Sequence, residues 1–141
     1  MKKRKTKKDF EAYLLKIIDK YVPILLLQKY TIKIRKSEVS DWENHPAFDT
    51  SYFGCLFNYP YSDVTIIYSE EAFNDWVREN TDMESFIIHE MCHVLTDPLY
   101  SKATKRYITK EAIEDEREIL TDHICNIILK RGNERKRQRQ T

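Results

Sequence analysis

Glycine is nearly absent from this chain: 141 residues contain two, Gly54 and Gly132. A phosphate-cradling P-loop and a dinucleotide-binding turn each need several glycines, so both are excluded. Cysteine is scarce too. Cys55, Cys92 and Cys125 are odd in number and no pair has CxxC spacing. That argues against a disulfide framework and against a cysteine-rich zinc site. Three reduced thiols are expected, at least two of them on buried helix faces. Long apolar runs are also missing. The longest, Ile24-Leu25-Leu26-Leu27, falls far short of the roughly 20 residues a membrane span needs. Met1-Lys2-Lys3-Arg4-Lys5 resembles the start of a secretory signal, but Asp9, Glu11, Lys16 and Asp19 interrupt the apolar residues behind it. A cytoplasmic protein without membrane contact is therefore expected.

What is present fits one soluble domain, with 41% hydrophobic and 33% charged residues. The net charge of +1 conceals a segregation. Residues 2–8 carry six Lys/Arg and no acid, and residues 130–141 carry six against Glu134 alone. That leaves 12 basic and 22 acidic residues in 9–129, a net of −10. We expect an acidic domain over 9–130 between basic tails at 1–8 and 131–141. Such like-charge blocks are usually disordered. They also offer a surface to nucleic acid, although no aromatic residue interleaves them to stack on bases.

Helical periodicity runs through Phe10, Tyr13, Leu14, Ile17, Ile18 and Tyr21 and is disturbed at Pro23. Tyr30–Arg35 and Val64–Tyr68 read as strands, and Tyr52–Tyr59 is aromatic and β-prone. Residues 37–50 read as a loop, Pro60–Asp63 as a turn and Glu70–Arg78 as a short helix. A further helix is expected from a Thr81/Glu84 capping box to Asp97-Pro98. The last runs from about Thr109 to Lys130, with Gly132 just past its end.

Within the helix that starts at Thr81, His89-Glu90-Met91-Cys92-His93 is an HExxH motif. One turn apart, His89 and His93 share a face, so both imidazoles can hold one metal ion. Glu90 is offset around the helix, placed to take a proton from an activated water rather than to bind the ion. Zinc suits this chemistry as a Lewis acid that makes a bound water acidic. A catalytic zinc usually takes three protein ligands. Thr96 and Leu99 occupy the Gly and third-His positions of HExxHxxGxxH, which excludes that pattern. Glu118, followed by Asp122 at i+4, is the leading third ligand, with Asp122 accepting the second ring N–H of His89. Glu114, His123 and Asp97 are the alternatives. Asp97, one turn past His93, also suits a supporting role, but as the residue before Pro98 it reads first as a helix stop.

The stretch Phe86–Leu95 followed by Glu118xxxAsp122 resembles the small gluzincin-type zinc peptidases, including metallopeptidase-like proteins of phages and prophages. It is more distantly similar to the ImmA/IrrE-type and SprT-like families. Thr121-Asp122 stands where ImmA/IrrE-type chains carry Ala-Asn, and the third His of SprT-like chains is missing. The resemblance implies a zincin-like α+β fold: an N-terminal helix, a small β-sheet, the HExxH helix and a C-terminal helix with the third ligand. It implies hydrolysis of a peptide or protein substrate with one zinc ion on His89, His93 and Glu118, and Glu90 as general base. It implies an edge strand, mapped onto Val64–Tyr68, that pairs with the substrate backbone. It also implies an oxyanion-stabilising His or Tyr, for which Tyr100, Tyr107 and His123 qualify. The rival expectation is a non-catalytic zinc-containing regulatory or nucleic-acid-associated protein working through its basic tails.

Overall fold

A computed structural model describes residues 4–44, 52–58, 61–105 and 107–140. It is α+β: α1 (Lys7–Tyr21), β1 (Thr31–Lys36), α2 (Val39–Asn44), β2 (Phe53–Asn58), β3 (Asp63–Tyr68), α3 (Glu70–Glu79), α4 (Glu84–Thr104) and α5 (Lys110–Gln140). The expected helices and strands are present, with α2 added inside the expected loop. Pro46 of that loop and Pro60 of the expected turn lie outside the described residues.

The three strands form one sheet in the order β1-β3-β2. β1 runs parallel to β3, with Ile34 opposite Ile66, and β2 runs antiparallel, with Cys55 opposite Ile66. This corrects the placement of the free edge. β3, with Val64, Ile66, Ile67 and Tyr68 buried, is the central strand and spends its backbone groups on both neighbours. A near-continuous apolar strand belongs in the middle of a sheet. Among the described residues, the unpaired edge on the α4 side is that of β2, which packs on α4. Phe86 of α4 joins them, its ring 5.2 Å from Tyr52 and 6.3 Å from Phe53.

The core lies between the sheet and helices α1, α3 and α4. Phe10, Leu14 and Ile18 of α1 meet Val64, Ile66 and Tyr68 of β3, and Ile87, Met91 and Val94 of α4. Those spacings of three and four residues put one stripe of each helix inward.

Helix ends depart most from expectation. Thr81 and Glu84 form no capping box: α4 has Met83 as its N-cap residue, with no side-chain cap hydrogen bond. Its first N–H groups are met otherwise. Met83 N donates to the Tyr13 hydroxyl at 3.1 Å and Glu84 N to Asp82 Oδ1 at 3.0 Å. The Glu84 carboxylate accepts from Lys20 and Tyr21 instead. Tertiary partners on α1 thus outcompete the local box. A capping box does form at α1, between Thr6 and Asp9. Pro98 does not stop α4, which continues to Thr104 with Pro98 buried inside it. Pro98 and Leu95 share a small pocket with Leu120 and His123 of α5. Gly132 likewise lies within α5 rather than beyond it.

The basic runs, expected as disordered tails, carry structure among the described residues. Lys5 Nζ donates to Trp76 O and Asn80 Oδ1 and sits 4.4 Å over the Trp76 ring. At the other end, residues 130–140 continue α5. No described helix is long and apolar enough to cross a membrane.

Candidate active site

The HExxH motif falls in the middle of α4, where the inward row Ile87, Met91 and Val94 is fully buried. That anchored row fixes the helix's rotation and turns the motif's polar residues toward one side. The rings of His89 and His93 lie 5.0 Å apart, edge to face. His89 is exposed and His93 half-buried. Glu90 is buried at 9% exposure. Loss of water raises its carboxyl pKa above the ordinary range; the nearby histidines oppose that shift and Asp97 adds to it.

His93 and Glu90 open on a cleft of about 580 Å³. α4 gives one wall, with Asp97, Tyr100 and Ser101 as well. The other wall is Cys55–Asn58 of β2, with Asp63 and Thr65 of β3. No Lys or Arg is among these lining residues. Burial pushes the Cys55 thiol up to about 12, with Asp97 and Glu90 adding to the shift, so it stays protonated. Cys92 and Cys125 are exposed, contrary to the expectation of buried helix faces.

Asp97 takes a different part from the one first expected. Because α4 runs on through Pro98, Asp97 stays in register with His93, and its Oδ1 lies 3.3 Å from His93 Nδ1. Desolvation raises the Asp97 pKa against the opposing pull of His93. The signal in the sequence was the i+4 spacing, outweighed by the proline that follows.

The α5 residues lie apart. Glu118 is exposed and pairs with Arg117 at 3.2 Å, and Asp122 is exposed. The α5 carboxylate turned toward α4 is Glu116, 2.9 Å from Lys102 Nζ. The structure does not gather Glu118 with His89 and His93. Among the described residues, no three His, Cys, Asp or Glu side chains form a group able to hold a metal ion. The donor chemistry that is assembled, two imidazoles one helical turn apart beside a buried carboxylate, suits a borderline ion such as zinc and supplies two protein ligands.

The three oxyanion candidates separate. Tyr100 lines the cleft. The His123 ring is held by the Leu25 carbonyl, 2.7 Å from Nε2. Tyr107 is 90% exposed on the segment between α4 and α5.

No protein-family model, curated protein or solved structure matches the chain.

Proposed function

We propose that the protein is a zinc-dependent peptidase with a zincin-like fold, working in the cleft between α4 and β2. The observation that carries this reading is the juxtaposition of His93 and Glu90 with an edge strand across one cleft. His89 and His93 would hold the ion. When bound, zinc supplies Lewis acidity at neutral pH. Glu90 takes the proton of the attacking water and passes it to the leaving amine. Its raised pKa brings it closer to working pH, where a general base is most effective. The free edge of β2 pairs with an extended peptide, whose backbone N–H and C=O groups replace the missing strand. Tyr100, which lines the cleft, meets charge on the scissile carbonyl oxygen in this reading.

Glu118 is the third donor in this reading, and its exposed carboxylate, paired here with Arg117, would have to leave that partner for the histidines. The test is elemental analysis of the purified chain together with Glu90→Gln. We predict about one zinc per chain, retained in Glu90→Gln, with peptide hydrolysis lowered about 10²–10⁴-fold. A chain that neither carries nor takes up zinc would sink the proposal. Wild-type cleavage rates in Glu90→Gln would remove Glu90 from its role.

A further inference from the structure

We propose that Asp97 is a positioning residue for His93: it accepts a hydrogen bond from Nδ1 and so leaves Nε2 as the nitrogen free for a metal ion. This rests on the zinc reading above and extends it to a residue outside HExxH.

Three observations lead here. Asp97 Oδ1 and His93 Nδ1 are 3.3 Å apart, on consecutive turns of one unbroken helix. The Asp97 side chain is only 25% exposed and faces the cleft. Finally, among the described residues no Lys or Arg lines that cleft to compete for the carboxylate. Its nearby neighbours are Glu90, which is acidic, and Cys55, whose thiol stays protonated.

The chemistry follows from the two-faced imidazole. A neutral ring carries one proton, and the nitrogen opposite it carries the lone pair. A carboxylate that accepts from Nδ1–H fixes the tautomer, holds the ring plane and makes Nε2 more basic. The sequence had suggested such a partner for His89, from Asp122. The structure provides one for His93, from the same helix, and Asp122 stays exposed on α5. Pro98 matters indirectly. Had it ended α4, Asp97 would have left the helical register that brings it over His93.

The experiment uses the full chain, with Asp97→Ala and the nearly isosteric Asp97→Asn, at about pH 8. Long-range proton–nitrogen NMR of the metal-free protein reads the His93 tautomer. Chelator competition then reads zinc affinity. We expect the Nδ1–H form in wild type and in Asp97→Asn, whose amide oxygen still accepts. Asp97→Ala should revert toward Nε2–H and bind zinc about 10–100-fold more weakly. Asp97→Asn should lose less, and it keeps the comparison available should the alanine variant fold poorly. An Nε2–H ring in wild type, or one tautomer shared by wild type and Asp97→Ala, overturns the proposal. So does an Asp97-dependent tautomer with unchanged zinc affinity, which would leave Asp97 a purely structural partner. A wild-type chain that takes up no zinc but keeps the Asp97-dependent tautomer would sink the peptidase reading and leave the His93–Asp97 contact standing, so the two failures are distinguishable.

Discussion

Replacing Phe10 by alanine tests how α1 is bound to the rest of the domain. Phe10 has no solvent exposure. Its ring lies 5.1 Å from Tyr68 edge-on, 5.1 Å from Trp76, 5.8 Å from Phe73 and 6.4 Å from Tyr13. Those partners belong to α1, β3 and α3, so the void left by truncation closes only if several elements move together. Phe→Ala in a core costs about 3–5 kcal/mol, and this rigid surround puts Phe10 in the upper half, about 4 kcal/mol. At a urea slope of about 2 kcal/mol per molar, the unfolding midpoint should fall by about 2 M. Phe10→Leu retains much of the volume and leaves a smaller void, so its midpoint should fall by less than that of Phe10→Ala. Fluorescence is the natural signal, because Trp76 packs directly against the mutated ring. A chelator in the buffer keeps metal binding out of the measurement. A drop below about 0.5 M in Phe10→Ala would refute this account of the core. Phe10 does not line the cleft, so Phe10→Leu should leave zinc affinity unchanged.

Acid should weaken the tie between α1 and α4. Lys20 and then Tyr21 hold the Glu84 carboxyl below its ordinary pKa, so its contribution is present above the ordinary carboxylate range and is lost as pH falls through the lowered value. The stability gap between wild type and Glu84→Gln should therefore shrink on acidification; a gap that widens would reverse the sign assigned here. For the metal, Glu118→Ala should lower zinc affinity by orders of magnitude while Glu111→Ala and Glu116→Ala change it little, and zinc should alter hydrogen exchange along α5. Wild-type zinc affinity in Glu118→Ala would discard it as a ligand. Thiol chemistry gives a simpler check: at about pH 8 a water-soluble disulfide reagent should reach the exposed Cys92 and Cys125 well before Cys55, whose thiol is pushed up to about 12. Cys55 reacting first would contradict its burial.

Sequence alone determined the parts that depend on near neighbours. Ile87, Met91 and Val94 recur at the spacing that buries one helical face, and their burial turns His89, Glu90 and His93 to another. The i+4 relation of the two histidines is a property of any α-helix and needs no tertiary knowledge. The alternation of Tyr30–Arg35 and the apolar run Val64–Tyr68 likewise declare strands.

Tertiary structure decided what depends on distant partners. Thr81 and Glu84 had the spacing of a capping box, yet Tyr13, Lys20 and Tyr21 supplied or claimed the hydrogen bonds. Pro98 had every local reason to end α4, yet the helix runs on with Pro98 buried inside it, and that continuation brought Asp97 to His93. Which strand keeps a free edge was invisible in β3 itself, because centrality is conferred by neighbours on either side. The orientation of Glu118 depends in the same way on how α5 packs, which its i+4 pattern with Asp122 does not encode. Helical periodicity is set by backbone geometry within a few residues, whereas strand order, helix ends and carboxylate partners are set by contacts between residues far apart in the chain.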